Sequence, residues 1–332
     1  MNKIAVLTSG GDAPGMNPAI RAVVRTAIYK GLEVIGIRHG YKGLIEKDFF
    51  PMERGSVADI VQRGGTILLS ARCKEFTTKA GRKKAYANLK EEGIDALVVI
   101  GGDGSLKGVQ KINAESDIKA VGIPGTIDND LSCTDYTIGV DTAMNTILDA
   151  INKIRDTATS HERTFVIECM GRDSGYLALM TGLAGGAEYI LVPEIDFTPQ
   201  EVCDKITQGF DRGKLHSLIL IAEGVQAPFA DLSEYHGSPG MAMGDLIRDR
   251  TGMETRVTIL GHLQRGGSPT ATDRIVASRM GAKAVELLLE GKRDKMVNYK
   301  DNSIGSCEIK DAIKKTQTIN MDIYKLANIL SM

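Results

Sequence analysis

The chain lacks the features that mark secretion, membrane insertion or a metal scaffold. Its five cysteines, Cys73, Cys133, Cys169, Cys203 and Cys307, are odd in number, widely scattered and include no Cys-x-x-Cys pair. This pattern argues against a disulfide framework or a structural zinc, and for a reduced compartment. No apolar run approaches a membrane span, and Met1 leads almost at once into Ile4 to Leu7 with no basic-then-apolar leader. A cytoplasmic protein is expected. Charge of one sign is missing too, since 41 Lys and Arg balance 42 Asp and Glu to a formal net charge of -1. No basic field points to nucleic acid or an acidic membrane, so the expected partner is a small molecule. There is no internal repeat and no low-complexity segment. A chain of 332 residues suits two domains.

What is present is a set of short apolar runs that end in glycines and then carboxylates. Leu97 to Ile100 runs into Gly101-Gly102-Asp103-Gly104-Ser105, and Ala120 to Ile123 into Pro124-Gly125-Thr126-Ile127-Asp128-Asn129-Asp130. Two such runs, a helix's length apart, read as parallel strands of an α/β sheet with a helical crossover. Ligands bind beyond the carboxyl ends of such strands, so Asp103, Asp128 and Asp130 are expected in one crevice. Several carboxylates there repel one another unless a cation compensates. Magnesium bound to a nucleotide does so with one or two carboxylates plus phosphate oxygens. Glycines around Asp103 let backbone N–H groups approach phosphate. Phosphoryl transfer is the leading reading, although Gly-Gly-Asp-Gly alone is equally a tight strand-to-helix turn.

Ile4 to Ser9 reads as a first strand, followed by the turn Gly10 to Gly15, and Asn17 is expected to cap a helix with Pro18 at its first position. A glycine turn feeding a helix suits phosphate, but it is neither a dinucleotide fingerprint nor a P-loop. Arg21 and Arg25 lie one turn apart on the helix face opposite Ile20, Val23 and Val24, which alone reads as a solvated face. Glu33 to Ile37 reads as a strand and His39 to Leu44 as a loop. Arg72, after an apolar segment, could clamp a phosphate. Lys79 to Glu92 reads as a solvated helix. Asp141 is expected to cap a long helix, and strands are expected at Thr164 to Met170, Tyr189 to Val192 and Ser217 to Ala222. Thr198-Pro199-Gln200-Glu201 reads as a capping box. Together these give a second βα domain. Gln226 to Met243 reads as a loop. His262 and Arg265, three apart in a glycine-rich turn, suit an anionic substrate, and the helix from Asp273 to Leu289 is expected to pack back on the first domain.

Six stretches in order carry a family resemblance: Leu7 to Asp12, Ile100 to Ser105, Pro124 to Asp130, Thr159 to Arg163, Met170 to Arg172 and Leu260 to Pro269. Along nearly its whole length the chain resembles the bacterial ATP-dependent 6-phosphofructokinases. The resemblance implies an α/β fold of two Rossmann-like three-layer αβα domains with mainly parallel sheets. Residues 1–139 plus about 265–318 would bind ATP, and 140–264 plus about 319–332 fructose 6-phosphate.

By the same resemblance Asp128 is the general base toward the sugar's 1-hydroxyl, with Thr126 and Asp130 positioning the reacting groups and Arg172 offsetting transition-state charge. Asp103 would hold magnesium, while Gly11, Tyr41, Arg72, Cys73, Gly102, Gly104, Ser105 and Gly108 line the ATP site. Met170, Gly171, Glu223, His262 and Arg265 would take the sugar phosphate, with Arg163 and Arg256 reaching in from a neighbour in a homotetramer. Arg21, Arg25, Arg54, Asp59, Arg155, Gly186, Ala187, Glu188, Arg212 and Lys214 match the family's effector pocket for ADP or phosphoenolpyruvate, with Glu188 expected to discriminate between the two.

Pyrophosphate-using relatives carry bulky charged residues where Gly104 and Gly125 stand, which favours ATP as donor. The rivals are a pyrophosphate-dependent enzyme and a non-catalytic nucleotide sensor; no Gly-x-Ser-x-Gly elbow supports a serine hydrolase. Departures from the family pattern are the longer stretch between Glu223 and Arg256, Thr77, Asp173, Tyr176 and Leu215.

Overall fold

The computed structural model describes residues 1–225, 237–314 and 319–331, and the chain divides into two units. Unit 1 is Met1–Ile127, Leu131–Thr142 and Arg265–Thr316; unit 2 is Asp128–Asp130, Ala143–Gln264 and Gln317–Met332. In chain order the first elements are β1 (Lys3–Ser9), α1 (Met16–Tyr29), β2 (Glu33–Ile37), α2 (Gly40–Glu46), β3 (Phe49–Pro51), α3 (Lys79–Glu91), β4 (Ala96–Gly101), α4 (Asp103–Glu115), β5 (Lys119–Pro124) and α5 (Val140–His161). There follow β6 (Thr164–Cys169), α6 (Tyr176–Gly185), β7 (Tyr189–Leu191), α7 (Pro199–Asp211), β8 (Ser217–Ala222), α8 (Pro239–Thr251), β9 (Thr255–Ile259), α9 (Ala271–Leu289), β10 (Lys295–Lys300), β11 (Ser303–Glu308), α10 (Ile309–Ala312) and α11 (Met321–Leu330).

The mixed α/β class is as expected. Unit 1 holds a seven-stranded sheet in the order β11-β10-β5-β4-β1-β2-β3, parallel except at its two edges. Its central strands are buried almost throughout, as parallel strands covered on both faces must be. Ser9 pairs with Gly101 and Gly101 with Pro124, so β1, β4 and β5 end at one level. Strand order reverses between β1 and β4, which is where open α/β sheets bind ligands. As expected, α9 packs on this unit: it lies against α1, so closely at Gly281 that a Cβ there would sit 2.6 Å from the Ala19 carbonyl. Unit 2 holds a parallel sheet in the order β7-β8-β6-β9, with Cys169 paired to Ala222 and Glu168 to Ile259, so these strands also end together.

Local expectations fail where distant residues decide. The start of α1 is Met16, behind a left-handed Gly15 at φ 111, so Asn17 and Pro18 lie within the first turn and no side chain caps it. The Asn17 amide is spent elsewhere: Nδ2 donates to the Arg63 carbonyl at 3.0 Å and Oδ1 accepts from Ile67 N at 2.8 Å. Residues 40–46 form α2 rather than a loop, with Asp48 N donating to the Gly43 carbonyl at its end. Asp141 lies in the first turn of α5, which begins at Val140, and accepts from Thr270 Oγ1. Helix α8 begins at Pro239, inside the expected loop; the remainder of that loop at 226–236 lies outside the described residues. Most of α3 is solvated, but Arg82 is buried in a bidentate pair with Glu115, at 2.7 and 2.9 Å. The capping box of α7 forms with both of its bonds.

Candidate functional site

In unit 1 the level strand ends place three turns side by side: Gly10 to Asp12 after β1, Gly102-Asp103 after β4 and Gly125-Thr126 after β5. Glycine is required where they touch. A Cβ on Gly101 would press on Ser105 Oγ at 2.5 Å, and one on Gly10 would lie 3.4 Å from the same oxygen. Ser105 Oγ donates to the Ser9 carbonyl at 3.0 Å, tying the start of α4 to the end of β1. Tyr41 is buried, stacked on Phe76 with centroids 4.1 Å apart, and its hydroxyl donates to the Ser105 carbonyl at 2.6 Å. Burial pushes the Tyr41 phenol far above its ordinary value. Tyr41 therefore shapes the turn from behind, and Gly108 is glycine because a side chain would strike that ring.

Asp103 occupies the first turn of α4, where the helix dipole favours a carboxylate, and pairs with Lys107 at 2.7 Å. Nothing lies within 4 Å of where a Gly104 Cβ would stand, whereas one on Gly125 would meet Ile100 and Met16 at 3.1 Å. Gly104 thus stands beside open space, while Gly125 is small because its neighbours are core. A Cβ on Gly102 would lie 3.5 Å from the Cβ of Thr126. Arg72 is exposed and Cys73 half-buried against the core. Arg265 belongs to this unit, donating to the Asp12 carbonyl at 3.1 Å and lying 2.6 Å from a Cβ on Gly11.

Thr126 and Asp128 are both buried. A brace behind Thr126 was not anticipated: Thr137 Oγ1 donates to the Thr126 carbonyl at 2.7 Å. The segment carrying Thr137 hangs on fully buried Asp273, which accepts from Gly139 N at 2.7 Å, Thr142 N at 2.9 Å and Tyr136 Oη at 3.0 Å. Burial pushes the Asp273 carboxyl up, and these donors pull against it. The spacing Thr270-x-x-Asp273, a helix-start signature, was the available signal.

In unit 2 the turn after β6 is built differently. Gly171 at φ 146 would clash with the Ser174 carbonyl if it bore a side chain, and Arg172 is left-handed at φ 53. Such an outlier persists only where surroundings enforce it. Glu223 does so, accepting from Arg172 N at 2.8 Å and Gly171 N at 3.3 Å. Fully buried Gln264, also unanticipated, accepts from Met170 N at 3.2 Å and donates to the Gly261 carbonyl at 3.0 Å, joining that turn to the one bearing exposed His262. Arg163 and Arg256 both pair with Glu254, at 2.9 and 2.6 Å, and the Arg163 bond holds the Glu254 carboxyl below its usual range.

Of the expected effector residues, unit 1 carries half-buried Arg21 and exposed Arg25, Arg54 and Asp59. Arg54 edges a cavity of 540 Å³ lined by Ile28, Leu32, Val34 and Met52. In unit 2 Arg155 donates to the Gly186 carbonyl at 2.8 Å, beside buried Ala187, and Glu188 accepts from Leu218 N at 2.7 Å. Lys214 donates to the Ser331 carbonyl at 3.0 Å, and Arg212 is exposed.

A sequence model described as phosphofructokinase matches residues 3–288. The chain belongs to the phosphofructokinase family. A relative from Halothermothrix orenii, 66% identical over the whole of both chains, is named ATP-dependent 6-phosphofructokinase. Among solved structures, a phosphofructokinase from Saccharomyces cerevisiae shares 37% identity at a TM-score of 0.83, covering all of this chain and 48% of that one. A pyrophosphate-dependent phosphofructokinase from Marinobacter aquaeolei, at 22% identity and a TM-score of 0.83 over 97% of this chain and 86% of its own, shares the phosphofructokinase fold.

Among the described residues no group of three or more His, Cys, Asp or Glu side chains is arranged to hold a metal unaided. Asp103, a single carboxylate in the first turn of α4 behind Gly102, has the chemistry to join phosphate oxygens and waters around magnesium. No helix among the described residues is long and apolar enough to cross a membrane.

Proposed function

We propose that this phosphofructokinase transfers the γ-phosphoryl group of ATP to the 1-hydroxyl of fructose 6-phosphate, giving fructose 1,6-bisphosphate and ADP in the cytoplasm. The observation that carries the reading is whole-length 66% identity to a relative named for that activity. The open space beside Gly104 favours ATP over pyrophosphate as donor.

Unit 1 is read as the ATP-binding domain and unit 2 as the sugar phosphate domain. The turns bearing Gly11, Gly102, Gly104 and Ser105 present backbone N–H groups to the phosphates, with Arg72 and Cys73 beside the nucleotide. Asp103 would hold magnesium, which when bound neutralises phosphate charge. Asp128 accepts the proton of the attacking hydroxyl, Thr126 and Asp130 position the reacting groups, and Arg172 offsets charge developing on the transferred group. Positioning and electrostatics dominate, since phosphoryl transfer asks little covalent chemistry of the protein.

Met170, Gly171, Glu223, His262 and Arg265 are read as sugar phosphate contacts. Arg163 and Arg256, gathered on Glu254, serve the site of a neighbouring subunit in a homotetramer. The ten residues of the expected effector pocket would bind ADP or phosphoenolpyruvate, an arrangement that couples subunits through a shared catalytic ligand. The test is phosphorus NMR of a mixture of the protein, magnesium-ATP and fructose 6-phosphate. Growth of a second sugar phosphate resonance together with ADP supports the reading; ADP with inorganic phosphate and unchanged sugar, or no reaction, sinks it.

A further inference from the structure

Two cysteines with no assigned joint role stand together in unit 1. Cys307 lies on the edge strand β11, opposite Met296 of β10. Cys133 lies in the segment after Asp128–Asp130, and that segment is laced onto the same hairpin. Asn298 Nδ2 donates to the Cys133 carbonyl at 2.6 Å, Tyr299 N to Thr134 Oγ1 at 3.0 Å, and Ser132 N to the Ala312 carbonyl at 3.0 Å. Asn298 pairs with Gly305, two residues before Cys307 and hence on its face of the strand. There the two side chains come together, Cys133 lying close enough to Cys307 to perturb its ionisation. Both cysteines are free and half-buried. Cys133 also adopts a left-handed backbone at φ 67, uncommon for a residue with a side chain.

We propose that Cys133 and Cys307 form a reversible thiol–disulfide switch, closed by a low-molecular-weight disulfide, that lowers turnover by displacing the segment next to Asp130. Its effect on turnover rests on the reading of Asp128 as base; bond formation does not. In the first step the Cys133 sulfur attacks the small disulfide, a Cys133–S–S–R bond forms, the reagent's S–S bond breaks, and the leaving thiolate takes the Cys133 proton. In the second the Cys307 sulfur attacks Cys133 sulfur and expels the other half as a thiol carrying the Cys307 proton. Two electrons pass from the protein to the reagent, which leaves as two thiols. Burial, with Cys133 beside it, pushes the Cys307 thiol up to about 12, so Cys307 is a poor first nucleophile.

Closing the bond draws the sulfurs together to about 2.05 Å. The β10–β11 hairpin is fixed by six register pairs, so the Cys133 segment must give. A shift of about 1 Å near reacting groups can cost on the order of 100-fold in rate.

The full chain is incubated with oxidised glutathione, digested without reductant and mapped by mass spectrometry, while turnover is followed in parallel. A peptide linking Cys133 to Cys307, a fall in turnover of roughly tenfold or more, and recovery with dithiothreitol are expected. Cys133→Ser and Cys307→Ser should give no such peptide and keep their turnover. Glutathione left on Cys133 with no linked peptide overturns the proposal, and so does a linked peptide with unchanged turnover. A protein inactive before oxidation speaks against the phosphotransfer reading, and the linked peptide then still decides whether the bond forms.

Discussion

The turns at the strand ends of the two units solve different problems. In unit 1 the turn before α4 is kept bare: small residues clear its front, and the polar bonds of Ser105 and Tyr41 hold it from behind. In unit 2 the turn after β6 is bent into a left-handed arginine and pinned there by Glu223, with Gln264 fastening its start. Backbone N–H groups can greet a phosphate without a side chain being aimed, so glycine suffices. On the proposed reading the Arg172 guanidinium must be placed, and its left-handed backbone is held by the Glu223 carboxylate.

Three substitutions probe this contrast, and a fourth probes stability away from it. The largest effect belongs to the group that neither turn replaces: Asp128→Ser should lower turnover at least ~100-fold, with the circular dichroism spectrum and ATP affinity retained. Next, Glu223→Ala leaves the Arg172 and Gly171 N–H groups without their acceptor. We expect kcat/KM for fructose 6-phosphate to fall by roughly 10- to 100-fold with KM for ATP unchanged; equal loss on both substrates would erase the distinction between the turns. Gly104→Lys fills the open front of the other turn. It should raise KM for ATP by roughly tenfold, the order of one lost favourable contact, and leave KM for the sugar phosphate in place.

The smallest effect is on stability, remote from both turns. Glu115→Gln weakens the bidentate bond to buried Arg82 and should cost about 2 kcal/mol in urea titration at neutral pH. The Arg82 hydrogen bond holds the Glu115 carboxyl below its ordinary value. A depressed carboxylate contributes in full above its unfolded pKa and loses that contribution as pH falls through the folded one. The gap between wild type and variant should therefore narrow in acid; a gap that widens there contradicts the pairing.

Much of this contrast is legible in the residues. Apolar runs ending in Gly-Gly-Asp and Gly-Arg mark both sets of strand ends because strand, turn and helix start are local events. What stays hidden is held across long separations. Asn17 looks like a cap until residues 63–67 fold over it, and Asp273 looks like an ordinary first-turn acid until Gly139 and Thr142 reach it from more than a hundred positions away. Glu223 was visible as a polar residue after a strand, but its hold on Arg172 depends on two parallel strands ending level. Helix α2 hides behind its two glycines, which read as loop.

The most direct test of the account is the initial rate of fructose 1,6-bisphosphate formation with magnesium, fructose 6-phosphate and either ATP or pyrophosphate as sole donor. Turnover with ATP and none with pyrophosphate is the predicted result. Turnover with pyrophosphate alone would keep the fold and contradict the donor argument built on the open front at Gly104.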